Sequence, residues 1–338
     1  MSEASGRGPV MRRLRITAPG RAEIESVPSP SPSPGEAIVR VESCGLCGSD
    51  ASMFTGKHPV ITPPLVPGHE IVGSVVAEGG GAEGLLGRRV AVLPQIGCGE
   101  CTACTAGHPR LCDRMRLIGG QIDGGAAEEV RVPTTSLVAI PDAVSSTVAP
   151  IVEPLAVAYH AVGRAGRLDG AHVLVVGGGP IGLLVALTAR ARGAADVTLI
   201  EPVPARQQVV SHFGVRVAAA IPSAPHDVVF DCVGGAVGPS LLATVVAGGT
   251  LVLVGVAAPE LAFGGMLLQR QERTITGSHM YTHEDFAAAL GLLADGLLPD
   301  DDASLALLFD RRPLAEGAQA LADLVDRRSV SLKILLIP

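Results

Sequence analysis

Residues 173–184 read VLVVGGGPIGLL. Four aliphatic residues run into three glycines, then a proline and a second apolar run, which is the pattern of a strand, a tight turn and the start of a helix. Within the turn, Gly177, Gly179 and Gly182 stand in G-x-G-x-x-G spacing, with Pro180 and Ile181 between the last two. In this context the first glycine permits the turn, the second lets backbone approach a pyrophosphate, and the third allows close helix packing. The helix N-terminus then offers N–H groups to the anion. Nineteen residues after Gly182 comes Glu201, closing the run DVTLIE, where a carboxylate accepts the ribose hydroxyls of an adenosine. An acid there, followed by Pro202, repels a 2′-phosphate, so NAD is expected; Arg206, able to fold over the adenine or reach a phosphate, keeps NADP open.

Outward from this turn, HVLVVG, DVTLIE, RVAAAI, DVVFDCVG, GTLVLVG and RTITGS are β-rich runs separated by helix-length segments such as PIGLLVALTARARG and PARQQVVSHFG. That texture predicts a doubly wound parallel sheet over 153–281. Upstream, EAIVRVES, EIVGSVVAEG, RRVAVLP and EEVRVP are strand-like and cut by Pro and Gly, so the half from Met11 to about Val138 reads as all-β. PSPSPSPGE is read as an edge loop, because strand-like sequence flanks it. The opening MSEASGRGPV reads as a disordered lead or an alternative start before Met11. Residues 282–338 contain helices and a final strand and are expected to rejoin the β-rich half. The fold class is α/β plus β.

A chain of 338 residues exceeds one ordinary core and implies two domains. With no Trp and eight Tyr plus Phe, the core must rest on Val, Leu, Ile and Ala. The net charge is 26 minus 33, or -7, with no Lys/Arg run, which argues against a nucleic-acid partner. HVLVVGGGPIGLLVALTARA approaches membrane-span length but breaks at Gly-Gly-Gly-Pro, so no membrane role is expected, and without a secretory signal the expected location is the cytoplasm. Seven cysteines at short spacings in such a chain point to metal ligation.

Cys98, Cys101, Cys104 and Cys112 form C-x2-C-x2-C-x7-C. Four thiolates complete a tetrahedral zinc shell and leave no open position, which makes a structural site; an iron-sulfur cluster is the alternative for such a quartet. SCGLCGSDASMF adds a further pair, Cys44 and Cys47. Downstream lie VPGHEIVG, with His69 and Glu70 adjacent, and IVEPLAVAYH, with Glu153. One thiolate, one imidazole and one carboxylate suit a second zinc that keeps a fourth position for water or substrate.

In their order, CGLCGSD, GHEIVGSVV, CGECTACTAGHPRLC, VEPLAVAYHAV and VVGGGPIGLL resemble the zinc-dependent medium-chain alcohol dehydrogenases, above all the polyol and threonine dehydrogenase branches. The resemblance covers essentially the whole chain. It implies a GroES-like catalytic domain over 1–152 and 282–338, a Rossmann domain over 153–281, two Zn2+ per chain and a homodimer or homotetramer. It also implies that Cys47 is the catalytic thiolate ligand, His69 the imidazole ligand, and Ser49 the hydroxyl of a proton relay. Glu70 and Glu153 match two carboxylates that such enzymes use in different ways, one as ligand with the other nearby, or in exchange. Cys44 and Cys232 are then small buried residues, His108 a surface feature of the structural-zinc lobe and His160 a packing residue. The chain departs from many relatives at Ser52, where they carry a proton-passing His, and at Met280, where polyol dehydrogenases tend to carry Arg. The expected reaction is hydride transfer between a secondary alcohol, of polyol, cyclitol or hydroxy amino acid class, and NAD. The alternatives are an NADPH-dependent carbonyl or imine reductase and a catalytically silent dinucleotide-binding scaffold.

Overall fold

The computed structural model describes residues 9–235, 237–255 and 260–338, so most of the expected N-terminal lead, residues 1–8, lies outside the described residues. The chain forms two compact units, Met1–Glu153 with Leu308–Pro338, and Pro154–Leu307.

The first unit opens with the antiparallel hairpin β1 (Val10–Ala18) and β2 (Arg21–Pro28). The Pro-rich stretch follows as a loop that turns at Gly35, where φ is +80°, into β3 (Glu36–Leu46). A short helix α1 (Gly48–Phe54) leads to β4 (Glu70–Glu78) and β5 (Arg89–Val92). A lobe then leaves the sheet between the two-residue strands β6 (Gln95–Ile96) and β7 (Arg116–Leu117), and carries α2 (Thr102–Thr105). The chain returns through β8 (Glu129–Pro133) and β9 (Leu137–Ala139) to α3 (Val152–Arg164). Alternate residues Ala37, Val39 and Val41 of β3 pack with Val75, Val90 and Val92 in one aliphatic core.

The second unit alternates strand and helix: β10 (His172–Val176), α4 (Pro180–Ala191), β11 (Asp196–Ile200), α5 (Pro204–His212), β12 (Arg216–Ala218), β13 (His226–Asp231), α6 (Val237–Leu241), β14 (Val245–Leu253), α7 (Gly265–Gln271) and β15 (Thr274–Gly277). All six expected runs are strands of one parallel sheet, ordered β12-β11-β10-β13-β14-β15. Strand order reverses at β10, whose neighbours are β11 and β13, and the glycine turn leaves the C-terminal end of that strand. In open α/β sheets this switch point is where ligands bind.

The return to the first unit comes later than expected. Helices α8 (His283–Ala294) and α9 (Asp302–Leu308) belong, up to Leu307, to the second unit, so 282–307 is not part of the β-rich half. Side chains explain this. Asp285 in the first turn of α8 accepts from His160 Nδ1 at 2.7 Å, and His212 at the end of α5 bonds Ser304 of α9 at 2.9 Å. From Phe309 the chain adds β16 (Phe309–Pro313), α10 (Gly317–Asp326) and β17 (Lys333–Ile337) to the first unit. Its main sheet then runs β16-β17-β3-β4-β5-β9, with β8 also paired to β3.

Candidate functional site

Strand β3 ends one residue before Cys47, which caps α1 in an extended conformation. Cys47 N–H donates to Asp50 Oδ2 at 2.9 Å, and Gly68 N–H donates to Asp50 Oδ1 at 3.0 Å, so one buried carboxylate fixes both the Cys47 loop and the approach to β4. His69 immediately precedes β4, with Nδ1 3.8 Å from Asp50 Oδ2 and no hydrogen bond at that nitrogen. Ser49 Oγ lies 3.2 Å from Cys47 Sγ. Glu70 opens β4 and Glu153 sits in the first turn of α3.

These side chains form two overlapping groups that share His69: Cys47, Asp50 and His69, and His69, Glu70 and Glu153, each with ligand atoms within 4.8 Å of one another. All but Cys47 are buried. Burial alone would depress the imidazole pKa of His69, but Asp50, Cys47 and Glu153 over-compensate and hold it well above its usual value. An imidazole among three acids and a thiol, with Glu70 Oε2 also unpartnered, is a donor set short of a cation. It fits a divalent metal bound through sulfur, nitrogen and oxygen.

In the lobe, the sulfurs of Cys98, Cys101, Cys104 and Cys112 all lie within 4.8 Å of one another. Backbone N–H groups and desolvation split them, bringing Cys98 down to about 6; Cys104, despite an N–H from Gly99, is pushed up to about 11 by burial and by sharing protons with the other thiols. Arg114 Nη2 donates to Cys98 Sγ at 3.2 Å, and Arg114 N–H donates to Cys112 Sγ at 3.3 Å. Four crowded sulfurs, with N–H donors already on those of Cys98 and Cys112, match a tetrathiolate metal shell.

In the second unit, Gly177 has φ +108°, and a Cβ on Gly182 would lie 1.8 Å from Gly177 O, so turn and helix approach leave no room for side chains. Gly179, the N-cap of α4, faces open space instead. Glu201 is 4% exposed, and its two oxygens accept from Gly178 N–H at 3.0 Å and Val203 N–H at 2.8 Å. A carboxylate pinned beside the glycine turn, with lone pairs to spare, fits the ribose of a dinucleotide.

Comparison with known proteins agrees. Residues 33–142 match the alcohol dehydrogenase GroES-like domain family, and residues 180–295 match the zinc-binding dehydrogenase family. The chain is 33% identical over 317 residues to the L-galactonate-5-dehydrogenase of Escherichia coli K12, covering 89% of this chain and 92% of that protein. The chain belongs to the zinc-type medium-chain alcohol dehydrogenases. Two crystal structures share the fold at a TM-score of 0.89: an Escherichia coli CFT073 alcohol dehydrogenase complexed with NADH, 25% identical, and a Sinorhizobium meliloti 1021 zinc-binding dehydrogenase bound to NADP, 30% identical. Each covers 98% of this chain and 100% of its own. The protein is therefore a zinc-dependent, NAD(P)-linked alcohol dehydrogenase acting on small molecules. Among the described residues no helix is long and apolar enough to cross a membrane.

Within this dehydrogenase, Cys44 is fully buried in the β core, where desolvation raises its thiol pKa; Cys232 is only partly buried, against expectation, though desolvation and neighbouring Asp231 raise its thiol pKa too. His108 is exposed beside Arg110. Two residues escaped the reading of the sequence. Asp50 was visible only as the letter after Ser49, although an acid three residues after an N-cap is a capping signal. Lys333 opens β17, and its Nζ lies 2.6 Å from Glu70 Oε1, a pair separated by 263 positions. A lone lysine ahead of the apolar run ILLI was the only hint.

Proposed function

We propose that this dehydrogenase oxidises a secondary hydroxyl of a polyhydroxylated substrate with NAD, using two zinc ions per chain, one catalytic and one structural. The observation that carries the proposal is the shared position of His69 between a thiol and two buried carboxylates. Cys47, His69 and one of Glu70 or Glu153 would hold the catalytic zinc, and Cys98, Cys101, Cys104 and Cys112 the structural one. Bound there, the catalytic zinc supplies Lewis-acid polarisation of the substrate oxygen, and NAD supplies the hydride acceptor.

The chain's own residues supply the rest. Asp50 orients the Cys47 loop through backbone amides and lies along His69, a carboxylate behind the imidazole. Ser49, beside the Cys47 sulfur and partly exposed, would accept the substrate proton at Oγ while passing its own hydroxyl proton on to solvent. Gly179, Ile181 and Gly182, at the start of α4, would present backbone N–H groups to the pyrophosphate, with Gly177 permitting the turn and Pro180 fixing the first helical residue. Glu201 accepts the adenosine ribose hydroxyls and, being buried and pinned, would repel a 2′-phosphate. This is why NAD is preferred over the rival reading of an NADPH-dependent carbonyl or imine reductase. Arg206, half-buried in the first turn of α5 five residues after Glu201, would fold over the adenine.

Similarity to an L-galactonate-5-dehydrogenase supports a polyhydroxylated substrate. Thiolate ligands persist where disulfides do not form, which supports a cytoplasmic enzyme. The test is a screen of polyols, cyclitols, sugar acids and hydroxy amino acids for NAD reduction. Turnover that disappears in Cys47→Ala supports the proposal. Turnover only with NADPH and a ketone, or none in a zinc-loaded protein, overturns it.

A further inference from the structure

The first unit carries a groove that none of the metal- or cofactor-site residues lines. It measures about 450 Å3 and is walled by the β1–β2 hairpin at Arg13 and Val27, by β7 at Arg116 and by β8 at Arg131. That volume falls in the range of small-molecule sites. Met11, Val66, Ala127 and Val130, each no more than 8% exposed, make an apolar floor. Three prolines, Pro28, Pro30 and Pro133, also line it and bring no N–H groups, which leaves the side chains of the rim as the main donors.

Six charged residues line the groove, and five of them are paired. Arg13 holds Glu25 at 2.6 Å and Asp123 at 2.7 Å, Arg131 faces Glu36 at 3.4 Å, and Arg40 faces Glu129 at 3.4 Å. The sixth, Arg116, has no ion pair or hydrogen bond at its guanidinium among the described residues, while its backbone is fixed by register pairing with Ile96, another lining residue. An unpaired guanidinium beside an apolar floor fits an anion with an apolar body. The carboxylates of Glu36, Asp123 and Glu129 limit its charge: a dianionic phosphate meets three like charges, and a monocarboxylate meets them with half that repulsion. The groove also reaches the segment that carries His69. Gly124 N–H donates to Val66 O at 2.9 Å and Gly125 N–H to Gly68 O at 2.8 Å, and a Cβ on Gly124 would lie 2.4 Å from Gly68 O. Gly124 and Val66 therefore line the groove and belong to the backbone that clamps the entry to His69.

We propose that this groove is a binding site for a small monocarboxylate with an apolar body, its carboxylate on Arg116 and its body on Met11, Val66 and Val130, and that occupancy restrains the backbone leading into His69. The site is independent of the alcohol that the enzyme oxidises. A bound body fills the space over Val66 and Gly124, and the two backbone bonds pass that restraint to Gly68.

The experiment titrates octanoate into the full-length enzyme by calorimetry, with octyl phosphate and octylammonium as charge controls. Arg116→Ala is expected to weaken octanoate by about 10-fold, the low end for a charge-assisted hydrogen bond, and Arg116→Lys by less than about 3-fold. Both variants should keep the zinc content and melting temperature of the unmodified protein, because Arg116 holds no other side chain. Val27→Glu, which adds an anion to the wall, should weaken octanoate as much as Arg116→Ala does, and octyl phosphate and octylammonium should each bind less tightly than octanoate. With octanoate bound, amide hydrogen exchange at Val66, Gly68 and His69 should slow by about 3-fold or more, an effect absent from Arg116→Ala at the same concentration. Octanoate affinity that Arg116→Ala leaves within about 2-fold places the carboxylate elsewhere, the candidate metal site included, and overturns the proposal. So does a dissociation constant above about 10 mM in the unmodified protein, tighter binding of either control, or exchange at 66–69 that bound octanoate leaves unchanged.

Discussion

Gly45 and Glu70 are register partners on β3 and β4, and the carboxylate of one lies where the side chain of the other would be. Gly45→Ala should therefore act on the metal site rather than on the turn. The new methyl group, 2.0 Å from Oε2, must push Glu70 off Lys333. Overpacking costs about 1–3 kcal/mol, and separating a buried ion pair adds about 3–5 kcal/mol where neither charge finds a new partner. A fall in melting temperature that is larger in metal-stripped than in zinc-loaded protein is the expected outcome. Equal falls in both would mean that the glycine is needed for strand packing alone.

The two candidate zinc sites should separate under mutation. Cys101→Ala breaks a quartet whose sulfurs lie within 4.8 Å of one another, and should lower stability and zinc content by one ion while the other site still binds. Cys47→Ala should remove the other ion, abolish turnover and leave the melting temperature nearly unchanged. Metal analysis of both variants beside thermal melts checks this. One ion in the unmodified protein, lost on Cys47→Ala, would refute the quartet.

Glu201 should decide between the two dinucleotides. Its oxygens hold Gly178 and Val203 N–H groups, so Glu201→Ala removes both a ribose acceptor and the brace of the glycine turn. Loss of a charged hydrogen bond is worth about 1.5–3 kcal/mol, which corresponds to NAD binding weaker by about 10- to 100-fold. NADP, which gains relief from repulsion, should weaken much less. Titration of both cofactors measures this, and equal losses would remove the basis for NAD preference.

Local signals reached far into this molecule because its cofactor unit is built from them. The runs from HVLVVG to RTITGS each became a strand, and the glycine spacing placed the turn at the switch point. The cysteine quartet, within fifteen residues, was equally readable. What could not be read was long-range. Lys333 meets Glu70 only because β17 joins β3, and nothing local marks that pairing. The late return at Leu308 depends on His160 meeting Asp285 across 125 positions.

That last contact carries a pH dependence. Burial would raise the Asp285 pKa, but hydrogen bonds from His160 and from Thr282 bring it below the usual 3.8. Its stabilisation is thus fully present above the unfolded value and is lost as pH falls through the lower folded value. Asp285→Asn should cost about 1 kcal/mol near neutral pH as the α8 cap weakens. The cost should shrink toward zero as the pH drops below 3.8. Denaturant melts of both proteins between pH 7 and pH 3 give the comparison, and a penalty that grows on acidification would contradict it.

The proton path depends on which hydroxyl or imidazole stands beside the candidate metal site. Ser49 sits in the first turn of α1 with Oγ 3.2 Å from the Cys47 sulfur, so a proton released beside the metal site meets this hydroxyl first. Ser52, one turn on, donates its hydroxyl to Gly48 O at 3.1 Å and is engaged with the helix backbone. Nearby His58 is no substitute: its Nδ1 accepts from Val60 and Ile61 N–H groups, and burial lowers its pKa. Ser49→Ala should therefore reduce turnover by about 10²-fold, the contribution of one positioned acid-base group, while the dissociation constant for NAD changes by less than about 2-fold. Ser52→His should raise turnover near neutral pH, because an imidazole titrates there. Steady-state rates across pH with direct NAD titrations separate this from a bracing role for Ser49, in which Ser49→Ala would retain near-normal turnover at every pH.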